Sequence, residues 1–182
     1  MSPRGIIAFL TALLIAPAAL LSVAAPAQAD TITTWISVKT PSGHIGPKVL
    51  DVKKWSMDDR GQVQIWDRQT ANNSNQLWRI TEIVRGSGVY QIQNVNSGKC
   101  LDKSTDAPDA NGTPVYQYTC QTGWITNQAW QFVPVAPGDK WGKLKNASGG
   151  RCLDVQGKSF TNGALLQVWD CVGDWNQRFN IF

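Results

Sequence analysis

Asn75-Gln76-Leu77-Trp78 is a short stretch that this 182-residue sequence repeats as Asn127-Gln128-Ala129-Trp130 and as Asn176-Gln177-Arg178-Phe179. The three Asn residues are 52 and 49 positions apart, and each copy places an aromatic residue two positions beyond its Gln. Repeats of this length are typical of folds built from several copies of one supersecondary unit, none of which can bury its apolar face alone.

Two further marks recur in the same order and at nearly the same period. In each repeat a Leu-Asp pair comes first. It is followed by an aromatic residue that lies outside the Asn-Gln stretch and is called the outlying aromatic below. The pairs are Leu50-Asp51, Leu101-Asp102 and Leu153-Asp154, and the aromatics are Trp66, Tyr118 and Trp169. Together the marks predict three units, at about 31–84, 85–136 and 137–182, which are called the first, second and third units below.

Within each unit the residue pattern predicts β-strands. Short alternating runs are separated by clusters of Gly, Asn, Asp and Ser, and no helical periodicity is present. Asn111-Gly112 and Asn162-Gly163 predict hairpin turns in which both residues take positive φ, and Arg60-Gly61 holds the matching place in the first unit. About four strands per unit gives an all-β barrel with three hairpins closing one end. A propeller is excluded because three blades are too few.

The four cysteines fall in register with the second and third units. An even number of cysteines favours disulfides in a secreted protein, and the segment 1–29 predicts secretion, as described below; four cysteines allow three pairings. Cys100 and Cys152 each precede a Leu-Asp pair, while Cys120 and Cys171 each follow an outlying aromatic by two positions. This register favours the bridges Cys100–Cys120 and Cys152–Cys171 and leaves the first unit without one.

Strand alternation separates the outlying aromatics from the aromatics of the repeated Asn-Gln stretch. In Val63-Gln64-Ile65-Trp66 the two aliphatic residues share one face, so Gln64 and Trp66 are predicted to face outward, as are Gln167 and Trp169 in the third unit. In the second unit Tyr116 and Tyr118 share the outer face, and Gln117 interrupts the apolar one. The aromatics of the repeated stretch alternate with apolar residues and predict core: Trp78 with Ile80, Trp130 with Phe132, and Phe179 with Ile181.

Each unit therefore combines an outward aromatic with an Asp and an Asn. The apolar face of a pyranose stacks on an aromatic ring, a carboxylate accepts strong bonds from adjacent hydroxyls, and an amide both donates and accepts. Taken singly, the Asp is equally suited to capping a turn. Three residue types recurring in register favour a sugar-binding site in each unit.

These residues carry a family resemblance that covers the chain from about Trp35 to Phe182. The sequence resembles the ricin-type β-trefoil lectins, whose mark is a Q-x-W motif in each of three subdomains, although the third copy here ends in Phe179. The resemblance implies a β-trefoil fold and up to three shallow galactoside sites. No cofactor is expected, and no metal is expected because no carboxylate cluster has the spacing of a calcium-binding loop. The implied sites consist of Asp51, Gln64, Trp66, Asn75 and Gln76 in the first unit, of Asp102, Tyr118, Asn127 and Gln128 in the second, and of Asp154, Gln167, Trp169, Asn176 and Gln177 in the third.

Two departures from the family pattern rank the sites. Tyr116 stands in the second unit where the others have a Gln, so one polar contact is missing there. The loop before Asn176 is two residues shorter than its counterparts, which predicts that Asn176 is displaced. The first and third sites are expected to be stronger than the second.

The segment 1–29 predicts a secretory signal peptide. Arg4 is its only charged residue, an apolar run follows, and Ala27-Gln28-Ala29 fits a cleavage site before Asp30. An uncleaved membrane anchor is the alternative, which Pro17 and Pro26 disfavour. The expected protein is secreted, with residues 30–182 as one lectin domain and no stable membrane insertion after cleavage.

Other function classes are disfavoured. The net charge of +4 is mild and scattered, which argues against nucleic acid as a partner. The carboxylates Asp58, Asp59, Asp106 and Asp109 lie in predicted loops with nothing to pair them as a glycosidase requires, and no nucleophile motif appears. The remaining alternative is a β-trefoil that inhibits proteases or binds proteins. The partner expected is a carbohydrate: a galactoside, a polysaccharide or a cell-surface glycan.

Overall fold

The computed structural model describes residues 30–106, 108–121 and 126–182; the predicted signal peptide lies outside these ranges. Every strand pairing is antiparallel, and the all-β class is confirmed. The strands are β1 (Thr31–Trp35), β2 (Ser37–Lys39), β3 (Ile45–Val52), β4 (Gly61–Asp67), β5 (Leu77–Glu82), β6 (Val89–Asn94), β7 (Cys100–Lys103), β8 (Thr113–Tyr118), β9 (Trp130–Pro134), β10 (Trp141–Asn146), β11 (Cys152–Val155), β12 (Leu166–Trp169) and β13 (Phe179–Asn180).

Six strand positions form a closed barrel. The pairings run β5–β6–β9–β10–β13–β2, and β1 returns to β5, so the ring has no free edge. Only Ile36 separates β1 from β2, and this single extended segment pairs with a different neighbour on each side of it. That split explains why the described residues form thirteen strands where about twelve were expected.

Three hairpins cap one end of the barrel: β3–β4, β7–β8 and β11–β12. They join one another through β4–β8, through β8–β12, and through a bridge between Gln64 and Leu165. Of the Asn-Gly turns, only the glycines take positive φ, at 89° for Gly112 and 95° for Gly163. The prediction that Asn111 and Asn162 do so as well was wrong. Thr113 N and Ala164 N bond back to Ala110 O and Thr161 O, as in type II turns, which need positive φ only at the third residue.

The core lies inside the barrel and beneath the cap. Trp78, Trp130 and Phe179 are fully buried, as predicted. The two indole N–H groups donate to Leu50 O (3.2 Å) and Leu101 O (3.0 Å), so each Trp fills the core without leaving a polar atom unpaired. Phe179, which has no such donor, replaces them in the third unit.

One of the face predictions requires correction, and another is confirmed. Phe132 is only partly buried, because its ring lies at the barrel end against Phe182, with the ring centroids 5.2 Å apart. Gln117 does face inward with Val115, and it is completely buried. Its amide N–H groups donate to backbone carbonyls of the loop that leads into β4, so this polar interruption of the apolar face is fully bonded.

The predicted disulfides Cys100–Cys120 and Cys152–Cys171 are both present. Each fastens the start of a cap hairpin to the loop beyond its second strand. Each closes a loop of about 20 residues, which stabilises the fold by about 3 kcal/mol in the chain-entropy account. Within residues 30–106, 108–121 and 126–182, no helix is long and apolar enough to cross a membrane.

Candidate functional site

In the first unit, Asp51 lies at the end of β3 directly opposite Gln64 of β4. Gln64 Nε2 donates to Asp51 Oδ1 (2.9 Å), while Asn75 Nδ2 (2.9 Å) and Gln76 Nε2 (3.0 Å) both donate to Oδ2. The four side chains are buried. Three amide donors therefore converge on one carboxylate and fix its orientation.

The third unit reproduces this arrangement around Asp154. Gln167 Nε2 donates to Oδ1 (2.9 Å), and Asn176 Nδ2 (2.7 Å) and Gln177 Nε2 (3.0 Å) donate to Oδ2. The predicted displacement of Asn176 was wrong. The short turn Trp175–Gln177 places the Asn as its counterpart does in the first unit, so the deletion is taken up earlier in the loop.

The second unit is incomplete. Asn127 Nδ2 (2.9 Å) and Gln128 Nε2 (2.8 Å) donate to Asp102 Oδ2 as in the other units. Tyr116 occupies the position opposite Asp102, and no described side chain donates to Asp102 Oδ1. The polar contact that the sequence analysis predicted to be missing at Tyr116 is therefore also missing among the described residues of the structure.

The pKa values of the three carboxyls reflect these surroundings. Burial raises the pKa of Asp51 and of Asp154 above the usual 3.8, and hydrogen bonds from the three amides oppose the rise. Burial raises the pKa of Asp102 to about 6, where two amides oppose the rise and the negative charges of Asp106 and Asp59 add to it. The missing donor coincides with the carboxylate that is hardest to ionise.

The two kinds of Gln play different parts. Gln64 and Gln167 were predicted to face outward, and they do lie on the outer face of the cap, but they are only 4% and 6% exposed because they lie over the Asp carboxylates. Gln76 and its two counterparts in the repeated stretch connect the carboxylate to backbone groups beyond the aromatic strand. Gln76, for example, donates to Asp67 O (3.1 Å) and accepts from Gln69 N (2.9 Å).

Two polar atoms of these sites have no partner. The Oδ1 atoms of Asn75 and Asn176 are buried and accept no hydrogen bond from any described residue. In each case the amide nitrogen is already directed at the Asp and at a backbone carbonyl, which fixes the orientation of the amide. A buried acceptor without a donor is uncommon in a folded protein.

In the third unit the Asp lies in an open cavity of about 600 Å³. Trp169, 40% exposed, forms one wall, and the turn Gln156–Lys158 lies along another part. The cavity is lined by Asp154, Gln156, Gly157, Lys158, Gln167, Trp169, Val172, Asp174 and Asn176. The sequence predicted four of these residues. It missed the turn Gln156–Lys158 and the segment 172–174, because neither belongs to a repeated mark. Gly157, three residues after Asp154, is a signal that could have indicated the turn.

The neighbouring unit stabilises the strand that carries each aromatic. Asn162, at the hairpin tip of the third unit, accepts from Asp67 N (3.0 Å) and donates to Asp67 Oδ2 (2.9 Å), one residue beyond Trp66. Asn111 of the second unit contacts Asp170, one residue beyond Trp169, in the same way, at 2.8 Å for both bonds. These contacts between units are called the hairpin clamps below.

The clamp of the second unit uses a carboxylate instead of an amide. Asp59 Oδ1 of the first unit accepts from Thr119 N (2.7 Å), one residue beyond Tyr118, and from Lys99 Nζ (2.7 Å).

No group of three His, Cys, Asp or Glu side chains in the part of the chain that the structure describes is arranged to hold a metal ion.

Comparison with known proteins places this chain in a family. The sequence profile of the ricin-type beta-trefoil lectin domain-like family matches residues 42–118 and 126–182. A designed threefold-symmetric protein, ThreeFoil, is 30% identical with a TM-score of 0.68, and the match covers 81% of this chain and 96% of that one. The exo-β-1,3-galactanase 1,3Gal43A from Clostridium thermocellum is 31% identical with a TM-score of 0.66, over 81% of this chain but only 29% of the galactanase. The Rhizoctonia solani agglutinin shares the fold at 19% identity, with a TM-score of 0.65 and coverage of 86% and 97%.

Proposed function

Because the chain belongs to the ricin-type β-trefoil lectin domain-like family, which supports carbohydrate binding in general, we propose that it is a secreted, non-catalytic lectin for galactose-type or related sugars on polysaccharides or cell-surface glycans. The observation that carries the proposal is the cavity of the third unit, where a buried, amide-held carboxylate lies beside a partly exposed Trp. The galactanase that resembles this chain is named for a galactose polymer, which favours the galactose type.

Each part of the cavity matches a part of a sugar. The indole of Trp169 offers an apolar face to the C–H side of a pyranose, and Asp154 accepts from ring hydroxyls with the strength of a charged acceptor. Asn176, whose amide nitrogen holds Asp154, also lines this cavity. The three amides fix the carboxylate before the sugar arrives, so little ordering is needed on binding.

We propose three sites of unequal strength, one in each of three repeats at about 31–84, 85–136 and 137–182. The first and third have the full set of amide donors, and the second lacks one. Shallow single sites bind weakly. Three of them on one rigid body gain avidity on a target that displays many sugars, without any new contact.

The test is glycan-array and calorimetric binding of the wild-type domain and of Asp51→Ala, Asp102→Ala, Asp154→Ala and the triple variant. We expect each single change to remove one site and the triple change to abolish binding. Asp58→Ala, at an exposed loop position outside the candidate sites, serves as the control and should bind like the wild type. The proposal fails if no sugar binds the wild type, or if the triple variant retains full binding.

Secretion is tested separately. Expression of the whole chain in a secreting host, followed by mass spectrometry of the medium, should find a protein that begins at Asp30. A chain retained in the membrane fraction with Met1 intact would support the membrane-anchor alternative.

A further inference from the structure

The turn after β3 and the turn after β11 share an unusual backbone. Lys53–Trp55 and Gln156–Lys158 are both single 3₁₀ turns that begin two residues after the site Asp. In both, the second and third residues take positive φ, at 55° and 57° in the first unit and at 64° and 51° in the third. The third residue of each turn, Trp55 or Lys158, therefore holds the same place relative to its carboxylate.

In the third unit this place is at the mouth of the cavity. Lys158 lines the cavity together with Trp169 and Asp174. Its ammonium group bonds the Asp174 carboxylate, and the two side chains are 58% and 48% exposed. A residue here contacts whatever projects from the pocket rather than the sugar held at its base.

Trp55 is an unexpected residue for that place. A bulky residue at positive φ is a true conformational outlier, which persists only where its surroundings fix the backbone. The indole is nevertheless 41% exposed, so it adds less to the core than a buried ring would. Because Lys158 takes the same positive φ in the third unit, the backbone belongs to the turn itself, and it is the exposed aromatic ring that is better explained by a ligand than by packing.

We propose that Trp55 is a second stacking residue of the first site and that it makes this site prefer neutral di- and oligosaccharides to monosaccharides. This inference rests on the proposed lectin function. Trp66 and Asp51 hold one sugar ring, and the next ring along the glycan stacks on Trp55. The third site, where an ion pair replaces the indole, lacks this preference.

Calorimetry with a monosaccharide and its β-linked di- and trisaccharides tests the proposal in single-site backgrounds. Asp102→Ala/Asp154→Ala leaves the first site, and Asp51→Ala/Asp102→Ala leaves the third. In the first background, Trp55→Lys should weaken trisaccharide binding about five- to tenfold, as expected for loss of an aromatic contact, and monosaccharide binding at most twofold. Trp55→Phe should retain most of the preference. In the third background, Lys158→Trp should create it.

Met57→Ala is the matched control, because Met57 is an exposed apolar residue just outside the turn and should leave the ratio of the affinities unchanged. A second measurement needs no change at the Asp residues. In the wild-type domain labelled with 5-fluorotryptophan, the ¹⁹F signal assigned by Trp55→Phe should shift with trisaccharide and hardly at all with monosaccharide.

The outcomes separate this inference from the function on which it rests. If the wild type binds none of the sugars, the lectin proposal itself fails. If sugars bind but Trp55→Lys leaves the trisaccharide-to-monosaccharide affinity ratio unchanged, or the Trp55 signal does not respond to trisaccharide, only the proposal for Trp55 is overturned.

Discussion

The sites of the second and third units have the same strand frame and differ at the residue opposite the Asp. Gln167 donates to Asp154, whereas Tyr116 leaves Asp102 Oδ1 without a described donor. The consequence appears in the pKa of Asp102, which burial raises to about 6. At these candidate sites a buried carboxylate depends on its hydrogen-bond donors to remain charged, and at Asp102 the nearby negative charges of Asp106 and Asp59 add to the effect of the missing amide.

The two units differ again one residue beyond the Asp. The third unit has the apolar Val155 there, and the second has the buried Lys103. Lys103 Nζ bonds Asp109 Oδ1 (2.7 Å) and Ser148 O (2.9 Å), and Asp109 also pairs with Arg151. The second unit thus rests on an ionic network that reaches into the third.

The largest expected effect comes from breaking this network. Asp109→Ala leaves Lys103 buried without its counter-ion and should lower the free energy of unfolding by about 3–5 kcal/mol. Lys103→Met, which replaces the ion by an apolar chain of similar length, should be nearly neutral or stabilising. Urea denaturation measures both changes.

Asp106→Ala is the control for Asp109→Ala. Asp106 pairs with Arg60 at the surface, where the Arg60 side chain is 61% exposed and the Asp106 side chain 50%. An exposed pair of this kind contributes under about 1 kcal/mol. Equal losses for Asp109→Ala and Asp106→Ala would show that Lys103 does not depend on its carboxylate partner.

The next effect is the pH dependence of sugar binding. Below a pKa of about 6 the Asp102 carboxyl becomes neutral, so binding by the second site should fall about tenfold for each further pH unit. Calorimetry between pH 7.5 and 4.5 on Asp51→Ala/Asp154→Ala, which retains only the second site, measures this. The third site alone should persist to lower pH, and parallel profiles for the two sites would contradict the comparison.

Protonation of Asp102 should affect folding stability and sugar binding in opposite directions: a fall in pH weakens binding but stabilises the fold. The folded protein binds a proton on Asp102 at a pH where the unfolded chain, with the usual value of 3.8, has released it. The contribution of Asp102 to stability therefore rises as the pH falls from about 6 toward 4. Thermal unfolding of the wild type and of Asp102→Asn, which cannot titrate, isolates this contribution as the difference between their pH profiles.

A smaller effect should follow from supplying the missing amide. Tyr116→Gln places a donor opposite Asp102 and should lower its pKa, so that binding by the second site at pH 5 increases severalfold. The reverse change, Gln167→Tyr, should raise the pKa of Asp154 and make the third site sensitive to acid. Carboxyl ¹³C chemical shifts follow both titrations directly.

The smallest effect is expected from the hairpin clamps. Asn111→Ala removes the bonds to Asp170 and should lower the free energy of unfolding by about 1 kcal/mol. Its counterpart Asn162→Ala should do the same through Asp67. We expect the first change to weaken the third site more than the first and the second change to do the reverse; calorimetry in the single-site backgrounds distinguishes them.

Much of the fold could be predicted because its determinants are local and recur. Alternation in Val63-Gln64-Ile65-Trp66 separates the core side from the outer side, and the register of Cys100 and Cys152 indicated their partners. The split between β1 and β2 could not be predicted, because it depends on which strands meet when the ring closes. The partial exposure of Phe132 likewise depends on the end of the barrel and not on its own strand.

The same distinction holds for the candidate sites: residues that recur in the sequence could be predicted, and residues that do not recur could not. Asp154, Gln167, Trp169 and Asn176 were found because each recurs in register. Lys158 lines the cavity and was missed, as was Trp55, the residue that we propose for the first site. The two occupy equivalent places with unrelated side chains, and only the shared backbone of the two turns reveals the equivalence. The contact of Asn111 with Asp170 could not be predicted either, because a turn-forming Asn gives no sign in the sequence that its amide reaches another unit.

The hairpin clamps also bear on how the molecule unfolds. In a linear array of repeats each unit contacts only its neighbours in sequence, and the ends can fray independently. Here the third unit fastens the first, the first fastens the second, and the second fastens the third. Such a circular dependence leaves no terminal unit to melt first, so loss of any one unit removes support from another, and the domain is expected to unfold in a single cooperative transition.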